Sequence, residues 1–365
     1  MAAPHSEVKS REVSFSPAGF FVLRTPLLPF EELSRWGEGL EATRFPPGTP
    51  EFESALRRDR ATLRARLGGL LRRPEVREAL FVASPVLYES LGLWEREPES
   101  EPGEKVERSV VRYLARMVGR PTPFGLFAGY SVGGLGEQTR LWLGSRAAYQ
   151  RHTRLDMDYA CVLAEALSRV PELRPHLTLR PSTSLYRANG RLRYAEGRMV
   201  EKVRSYHLVA IEPTEYLEAT LTMARGGARP EALARALAEM DSEISTEEAM
   251  AYVEELIQAQ VLVPELSPPV TGEEALPALL SQLQQFPAAA PFVEVLRPVQ
   301  AALAQLDRGG LGAPSEHYLG VARMLSGLPA PVELPRLFQV DLVKPASEAV
   351  LGRAVLRELE RGVRL

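Results

Sequence analysis

Arg112, Arg116 and Arg120 recur every four residues in a segment whose Tyr113, Leu114 and Met117 are apolar. That spacing predicts a helix with three guanidiniums on one face. Three stacked cations repel one another unless something anionic lies across them. Arginine favours a bidentate grip on phosphate or carboxylate. Pro121 and Pro123 end the helix, because each lacks an N–H and restricts the residue before it. Thr122 stands between the prolines, its hydroxyl held at a rigid corner close to Arg120. Phe124, Leu126 and Phe127 are expected to anchor the corner, with Gly125, Gly129 and Gly133 allowing tight turns. The chemistry on offer is anion binding beside an oriented hydroxyl. A surface arginine stripe followed by a hydrophobic loop is the other reading of the same residues.

Several elements must hold this stretch in place. Residues 1–15 are polar and read as loose. The run from Gly19 to Pro29 reads as a short buried strand leaving through a Pro-bounded turn, and Arg24 at its end needs a partner or a solvent opening. Residues 50–73 predict an amphipathic helix with Leu56, Leu63, Leu67, Leu70 and Leu71 on its apolar side. Its arginines, Arg57, Arg58, Arg60, Arg64, Arg66, Arg72 and Arg73, fit either an RNA-backbone footprint or a solvated face. Ser84-Pro85 signals a new helix. Residues 95–104 read as an acidic loop leading into the arginine helix. Strand pattern follows near 139–143. Asp156 then stands where the helix 159–167 needs an N-cap, which explains an aspartate there without further chemistry.

From Ser184 to Pro264 the chain reads as a small module. Asn189-Gly190 marks a hairpin between 185–188 and 192–194, and 203–211 is a third strand. Helices at 214–224, 230–240 and 245–259 follow, with a short possible wing strand at 261–263. Three strands and then three helices suggest a winged-helix-like unit. Residues 265–365 give helices at 272–286 and 291–307, a Gly- and Pro-containing loop, a strand-like run 337–342 carrying Asp341, and a closing helix at 348–361. The expected class is α+β, in three parts: a mixed core at 1–183, the winged-helix-like module at 184–264, and a helical segment with the Val-Asp strand at 265–365.

Composition narrows the function classes. A net charge of −3 excludes a generally basic nucleic-acid binder and permits a local patch. Cys161 is the one cysteine, so no internal disulfide forms, and its apolar helical setting predicts a buried core residue. His5, His152, His176, His207 and His317 lack metal-site spacing. There is no Walker loop, dinucleotide fingerprint or zinc-protease motif. With no apolar run long enough for a bilayer and no signal peptide, a cytoplasmic, cofactor-free protein is expected.

Arg116, Arg120 and the run Thr122-Pro123-Phe124-Gly125-Leu126-Phe127-Ala128-Gly129 resemble the signature of the lantibiotic dehydratases, in their N-terminal, tRNA-dependent glutamylation region. The segment Phe21 to Pro29, with Arg24 inside it, is similar to a family Phe-x-x-Arg-x-Pro-x-x-Pro pattern. The block from Glu78 to Leu93 also resembles the family. Arg154 and Asp156 match an Arg-x-Asp pattern, and Val340-Asp341 a Val-Asp strand. The resemblance implies catalytic roles for Arg24, Arg116, Arg120, Thr122, Asp156 and Asp341. It implies glutamyl-tRNA as co-substrate and no cofactor. It also implies leader-peptide docking along 203–211, at Tyr206, Leu208, Val209 and Ala210. Family members continue beyond this sequence with a further essential arginine and an elimination domain. A second polypeptide supplying the rest is therefore expected, with the chain silent alone, and a homodimer is allowed. Two alternatives stay open: a non-catalytic leader- or tRNA-binding subunit, and a peptide ligase that takes another aminoacyl-tRNA.

Overall fold

The computed structural model describes residues 16–200, 203–266, 268–269 and 271–363. The polar stretch 1–15 lies outside them. The described chain divides into two compact units, one from Met1–Thr153, Leu306–Ser315 and Val340–Leu365, the other from Arg154–Gln305 and Glu316–Gln339.

The first unit begins with strand β1 (Phe20–Pro26) and helices α1 (Glu31–Trp36), α2 (Pro50–Leu71), α3 (Pro74–Ala83), α4 (Pro85–Arg96) and α5 (Glu101–Gly119). Local chemistry starts three of them. Thr49, Ser84 and Ser100 each accept the N–H of the residue three positions on, and each helix has proline in its first turn. Because Ser100 caps α5, the acidic run read as a loop over 95–104 is mostly helix, and only Glu97–Ser100 separates α4 from α5. β1 is not a buried strand. Phe20, Val22 and Arg24 are exposed, because these alternate residues share the face of the strand that is left open.

The arginines of α2 are largely neutralised inside this unit. Arg60 pairs with Glu104 at 2.7 Å and Arg64 with Glu107 at 2.8 Å, both acids being on α5. Arg58 pairs with Glu41, and Arg66 donates to the carbonyls of Trp36 and Glu38. Arg73 grips Glu32 at 2.9 Å and holds that carboxyl below the usual range. Of the two readings of α2, the structure carries the amphipathic helix, with Leu67, Leu70 and Leu71 in the core. Leu56 is exposed.

β2 (Ala128–Gly136), β3 (Arg140–Leu143) and β4 (Gln150–Leu155) follow. The stretch after the Pro-Thr-Pro corner, read as a loop, is therefore the strand β2. Gly129 and Gly133 lie within it rather than in turns, while Gly125 does turn, at φ +52.

In the second unit, α6 (Met157–Ser168) is capped by Asp156, as expected, and Cys161 on it is half-buried rather than core. β5 (Leu179–Pro181) precedes a three-stranded sheet of β6 (Tyr186–Ala188), β7 (Arg191–Val200) and β8 (Val203–Ile211), in order β6-β7-β8. Asn189 and Gly190 turn the hairpin with φ values of 51 and 74, the left-handed pair of a two-residue loop. α7 (Glu215–Ala224), α8 (Pro230–Met240) and α9 (Thr246–Gln258) pack behind it. The core is Leu192 and Tyr194 against Leu217, Leu221, Leu233, Leu237 and Val253. A full capping box, Ser245 with Glu248, begins α9. β9 (Leu262–Pro264) pairs with β5 and not with the hairpin, so it is no wing of that sheet. α10 (Ala275–Leu283), α11 (Ala290–Arg308) and α12 (Ser315–Leu325) follow. α12 occupies residues that read as loop, because its start follows the Gly-Pro punctuation that masked it.

The chain returns to the first unit through β10 (Phe338–Val343), β11 (Ala346–Gly352) and α13 (Arg353–Val363). The closing helix is therefore shorter than read, its first residues being strand β11. The sheet order is β3-β11-β2-β10-β4, with β1 antiparallel on β2. β10 and β11 run parallel to β2, so β2 is fixed by residues more than two hundred positions later in the chain. The class is α+β. No helix among the described residues is long and apolar enough to cross a membrane.

Candidate functional site

The end of α5 and the end of β1 are tied together by the backbone. Arg24 pairs with Tyr130 of β2, Leu27 N–H donates to Phe127 O at 2.8 Å, and Leu28 N–H donates to Met117 O at 2.9 Å. Leu342 of β10 lies opposite Gly129, itself opposite Thr25. Arg24, the Arg116–Thr122 corner and Asp341 therefore collect at one end of one sheet, within one unit.

The corner is built on aromatic packing. Tyr113, Phe124 and Phe127 contact one another with ring centroids 5.2 to 6.4 Å apart. Leu126 and Phe127 are fully buried. The Arg116 guanidinium lies over the Phe124 ring at 4.2 Å, a cation–π contact. Its Nε is buried without a hydrogen bond among the described residues. Arg120 is the C-cap, in extended conformation, and its N–H closes on Arg116 O at 3.1 Å. It is thus the first residue past the helical stripe, and it is exposed, as are Pro121, Thr122 and Pro123. Among the described residues Arg24, Arg112, Arg116 and Arg120 have no ion pair. Arg24, Arg116 and Arg120, without an ion pair among the described residues, stand at the same sheet end as the exposed Thr122. Asp341 is half-buried on β10.

Two glycines allow the layers to meet. A Cβ on Gly125 would come within 2.9 Å of Val82, and one on Gly129 within 2.7 Å of Leu342 and of the Lys344 stem. Lys344 is a residue the sequence did not signal. It is buried, its Nζ donates to Pro26 O at 2.6 Å, and it lies 4.7 Å over the Tyr149 ring. Burial lowers its pKa to about 8, with Arg146 adding to the effect. Its own N–H donates to Tyr130 O, and Ser131 donates to its carbonyl at 2.5 Å, so it links β1, β2 and the end of β10. Nothing but its position as one of four lysines could have pointed to it.

The sequence also missed a buried charge cluster. Arg151 pairs with Glu78, both side chains being fully buried, and donates to Leu306 O. Glu78 accepts the Gly312 N–H at 2.6 Å, and Asp307 accepts the Thr153 N–H at 3.0 Å. Read singly, each is an ordinary helix or strand charge.

Arg154 and Asp156 belong to the second unit. Asp156 accepts the Asp158 N–H at 2.8 Å and donates its own N–H to Leu337 O at 2.9 Å. On β8, Tyr206 and Leu208 are 70% and 63% exposed, Ala210 is exposed, and Val209 is half-buried against the helices. β8 has a partner only on its β7 side among the described residues.

The family model described as "Lantibiotic dehydratase, N terminus" matches residues 72–365. This chain belongs to that family. Among curated relatives, it is 21% identical over 255 residues to the subtilin biosynthesis protein SpaB of Bacillus subtilis, covering 69% of this chain and 24% of SpaB. It is 19% identical over 253 residues to the epidermin biosynthesis protein EpiB of Staphylococcus epidermidis, covering 69% of this chain and 25% of EpiB. The chain thus aligns with about a quarter of each curated relative. Its fold resembles that of the tRNA-dependent lantibiotic dehydratase MibB from Microbispora sp. 107891, at a TM-score of 0.67 and 21% identity, over 94% of this chain and 30% of MibB. It also resembles the glutamylation domain TbtB from thiomuracin biosynthesis, at a TM-score of 0.56 and 18% identity, over 93% of this chain and 51% of that one. The α+β class of this dehydratase-family chain agrees with both.

Proposed function

We propose that the chain is the N-terminal portion of an enzyme of tRNA-dependent glutamylation. A Ser or Thr hydroxyl of a ribosomally made precursor peptide attacks the ester carbonyl of glutamyl-tRNA. The carbonyl–oxygen bond to the tRNA breaks, and the hydroxyl proton passes to the departing ribose oxygen. The peptide ester formed is a step towards a dehydroamino acid. The ester is already activated, so the work is to hold a polyanionic end, orient the hydroxyl and stabilise charge on the carbonyl oxygen. In this reading Arg116 and Arg120 take terminal phosphate or the glutamyl carboxylate, Arg24 faces the same anion from β1, and Thr122 orients the reacting group. Asp341 positions cations or the glutamyl ammonium, because an ordinary aspartate is a weak base for an alcohol.

The observation that carries this reading is the cluster of cations at one sheet end beside Thr122, without an ion pair among the described residues, in a chain of this family. The test is mass spectrometry of a ribosomally made Ser/Thr-containing precursor peptide after incubation with glutamyl-tRNA. In a complex that supplies the rest of the glutamylation region, wild type is expected to add glutamyl units and Arg120→Ala to add none. Equal glutamylation by Arg120→Ala would sink the assignment.

A second reading, leader binding without chemistry, is favoured by the open β8 edge with its exposed Tyr206 and Leu208. It predicts calorimetric binding of the leader without tRNA and no added glutamyl mass under any condition.

A further inference from the structure

The charges of α5 are segregated along its length. Its first half carries Glu101, Glu104 and Glu107, and its second half carries Arg108, Arg112 and Arg116, with Arg120 at the cap. No acidic residue occurs from 108 to 136. The acidic half is occupied: Glu104 and Glu107 hold Arg60 and Arg64 of α2, and Glu101 holds Lys105. The basic half is not. Arg108 and Arg112 are exposed and make no hydrogen bond or ion pair among the described residues. Glu104, one turn before Arg108, is held by Arg60 at 2.7 Å.

A purely structural account of this row falls short. Favourable interaction with the helix dipole fades beyond the last turn, so it covers Arg116; Arg108 adds to the field that lowers the Glu104 pKa, behind the larger effect of Arg60, and Arg112 is left unexplained. The core of α5 runs through Val110, Leu114, Met117 and Val118, which places Arg112 on the opposite, solvent side. Each four-residue step advances about 6 Å along the axis. Arg108, Arg112 and Arg116 therefore follow one another over about 12 Å of the helix axis, with Arg120 just past the helix end at the Arg120–Thr122 corner. A row of this kind suits successive phosphates of one strand, each taken by one guanidinium.

On the reading that the corner receives an aminoacylated RNA end, we propose that Arg112 and Arg108 are backbone-binding residues. The RNA strand leading to the reacting end then runs back along the solvent face of α5, and not over the arginine-rich α2. The track carries no base readout, since guanidiniums on phosphates fix register and direction only. Specificity for the amino acid lies elsewhere.

The test uses the full 365-residue chain and a fluorescent, uncharged tRNA acceptor-stem hairpin ending in CCA, titrated between about 50 and 200 mM salt. Arg112→Ala and Arg108→Ala are each expected to make the plot of log affinity against log salt shallower by about 0.7 to 0.9, and to weaken binding about fivefold at ~0.1 M salt. Arg112→Lys should keep the slope, and Arg58→Ala, whose side chain is paired with Glu41, should leave it unchanged. If both alanine variants keep the wild-type slope while Arg120→Ala weakens binding, the track is wrong and the corner reading stands. An equal loss with Arg58→Ala would show a net-charge effect and overturn the track as well. If the wild-type chain binds no hairpin over this range, the corner reading and the track fail together.

Discussion

Lys344 Nζ donates a hydrogen bond to the carbonyl oxygen of Pro26 at 2.6 Å, joining two residues 318 positions apart. Pro26 is two residues past Arg24, and Lys344 three past Asp341, so this one contact fixes two candidate site residues from opposite ends of the chain. Its energetics depend on pH. The folded pKa, about 8, lies below the usual lysine value near 10.4. Below pH 8 the amine is charged in both states and the burial penalty acts in full. As pH rises from 8 towards 10.4 the folded protein sheds the proton first, and stability increases. Urea unfolding should show roughly 2 kcal/mol more stability at pH 9.5 than at 7.5 in wild type, relative to the same difference in Lys344→Met. No difference between the two proteins would refute the assignment.

Arg151 and Glu78 form the fully buried pair that anchors the 306–312 segment. Removing one partner leaves an uncompensated buried charge, which costs about 3–5 kcal/mol. Arg151→Met should lose about that much in chemical denaturation, and Arg151→Met/Glu78→Leu should recover a large part. A double variant no better than the single would mean that the hydrogen bond to Gly312 matters more than the pair.

Arg24 is exposed on β1 with no ion pair among the described residues. Its removal should change unfolding free energy by about 0.5 kcal/mol or less. If it faces the reacting anion, Arg24→Ala lowers glutamyl transfer on the order of a hundredfold, as loss of a charge-stabilising donor does. A large stability loss with unchanged transfer would make Arg24 structural.

Leu208 is well exposed on the open strand β8, so Leu208→Asp should leave the unfolding transition in place. If the leader adds beside β8, the variant should bind it at least about tenfold more weakly, since burying a leucine contributes about 1.5–3 kcal/mol. Calorimetry with unaltered affinity would move the docking site elsewhere.

The parts legible in the sequence were those decided within a few residues. Thr49, Ser84, Ser100 and Ser245 signal helix starts through their own side chains, and Asn189-Gly190 can hardly be anything but a hairpin turn. The Pro-Thr-Pro corner ends α5 wherever α5 packs. Arg24, Arg116, Arg120, Thr122, Asp156 and Asp341 were named from motifs, and their types suit the proposed chemistry. Only the tertiary structure decided which charges were already taken. The arginines of α2 and those of α5 look alike as residues, yet the former pair with Glu41, Glu104 and Glu107 while the row from Arg108 to Arg120 makes no ion pair among the described residues. The same holds for β2, whose glycine-rich run becomes a strand only when β1, β10 and β11 close on it, and for Lys344, buried only because Pro26 and Tyr149 arrive beside it. Local capping and turn geometry act over three or four residues, where sequence order is spatial order. Ion pairing and burial depend on which distant segments become neighbours, and that is set by the packing of the whole sheet.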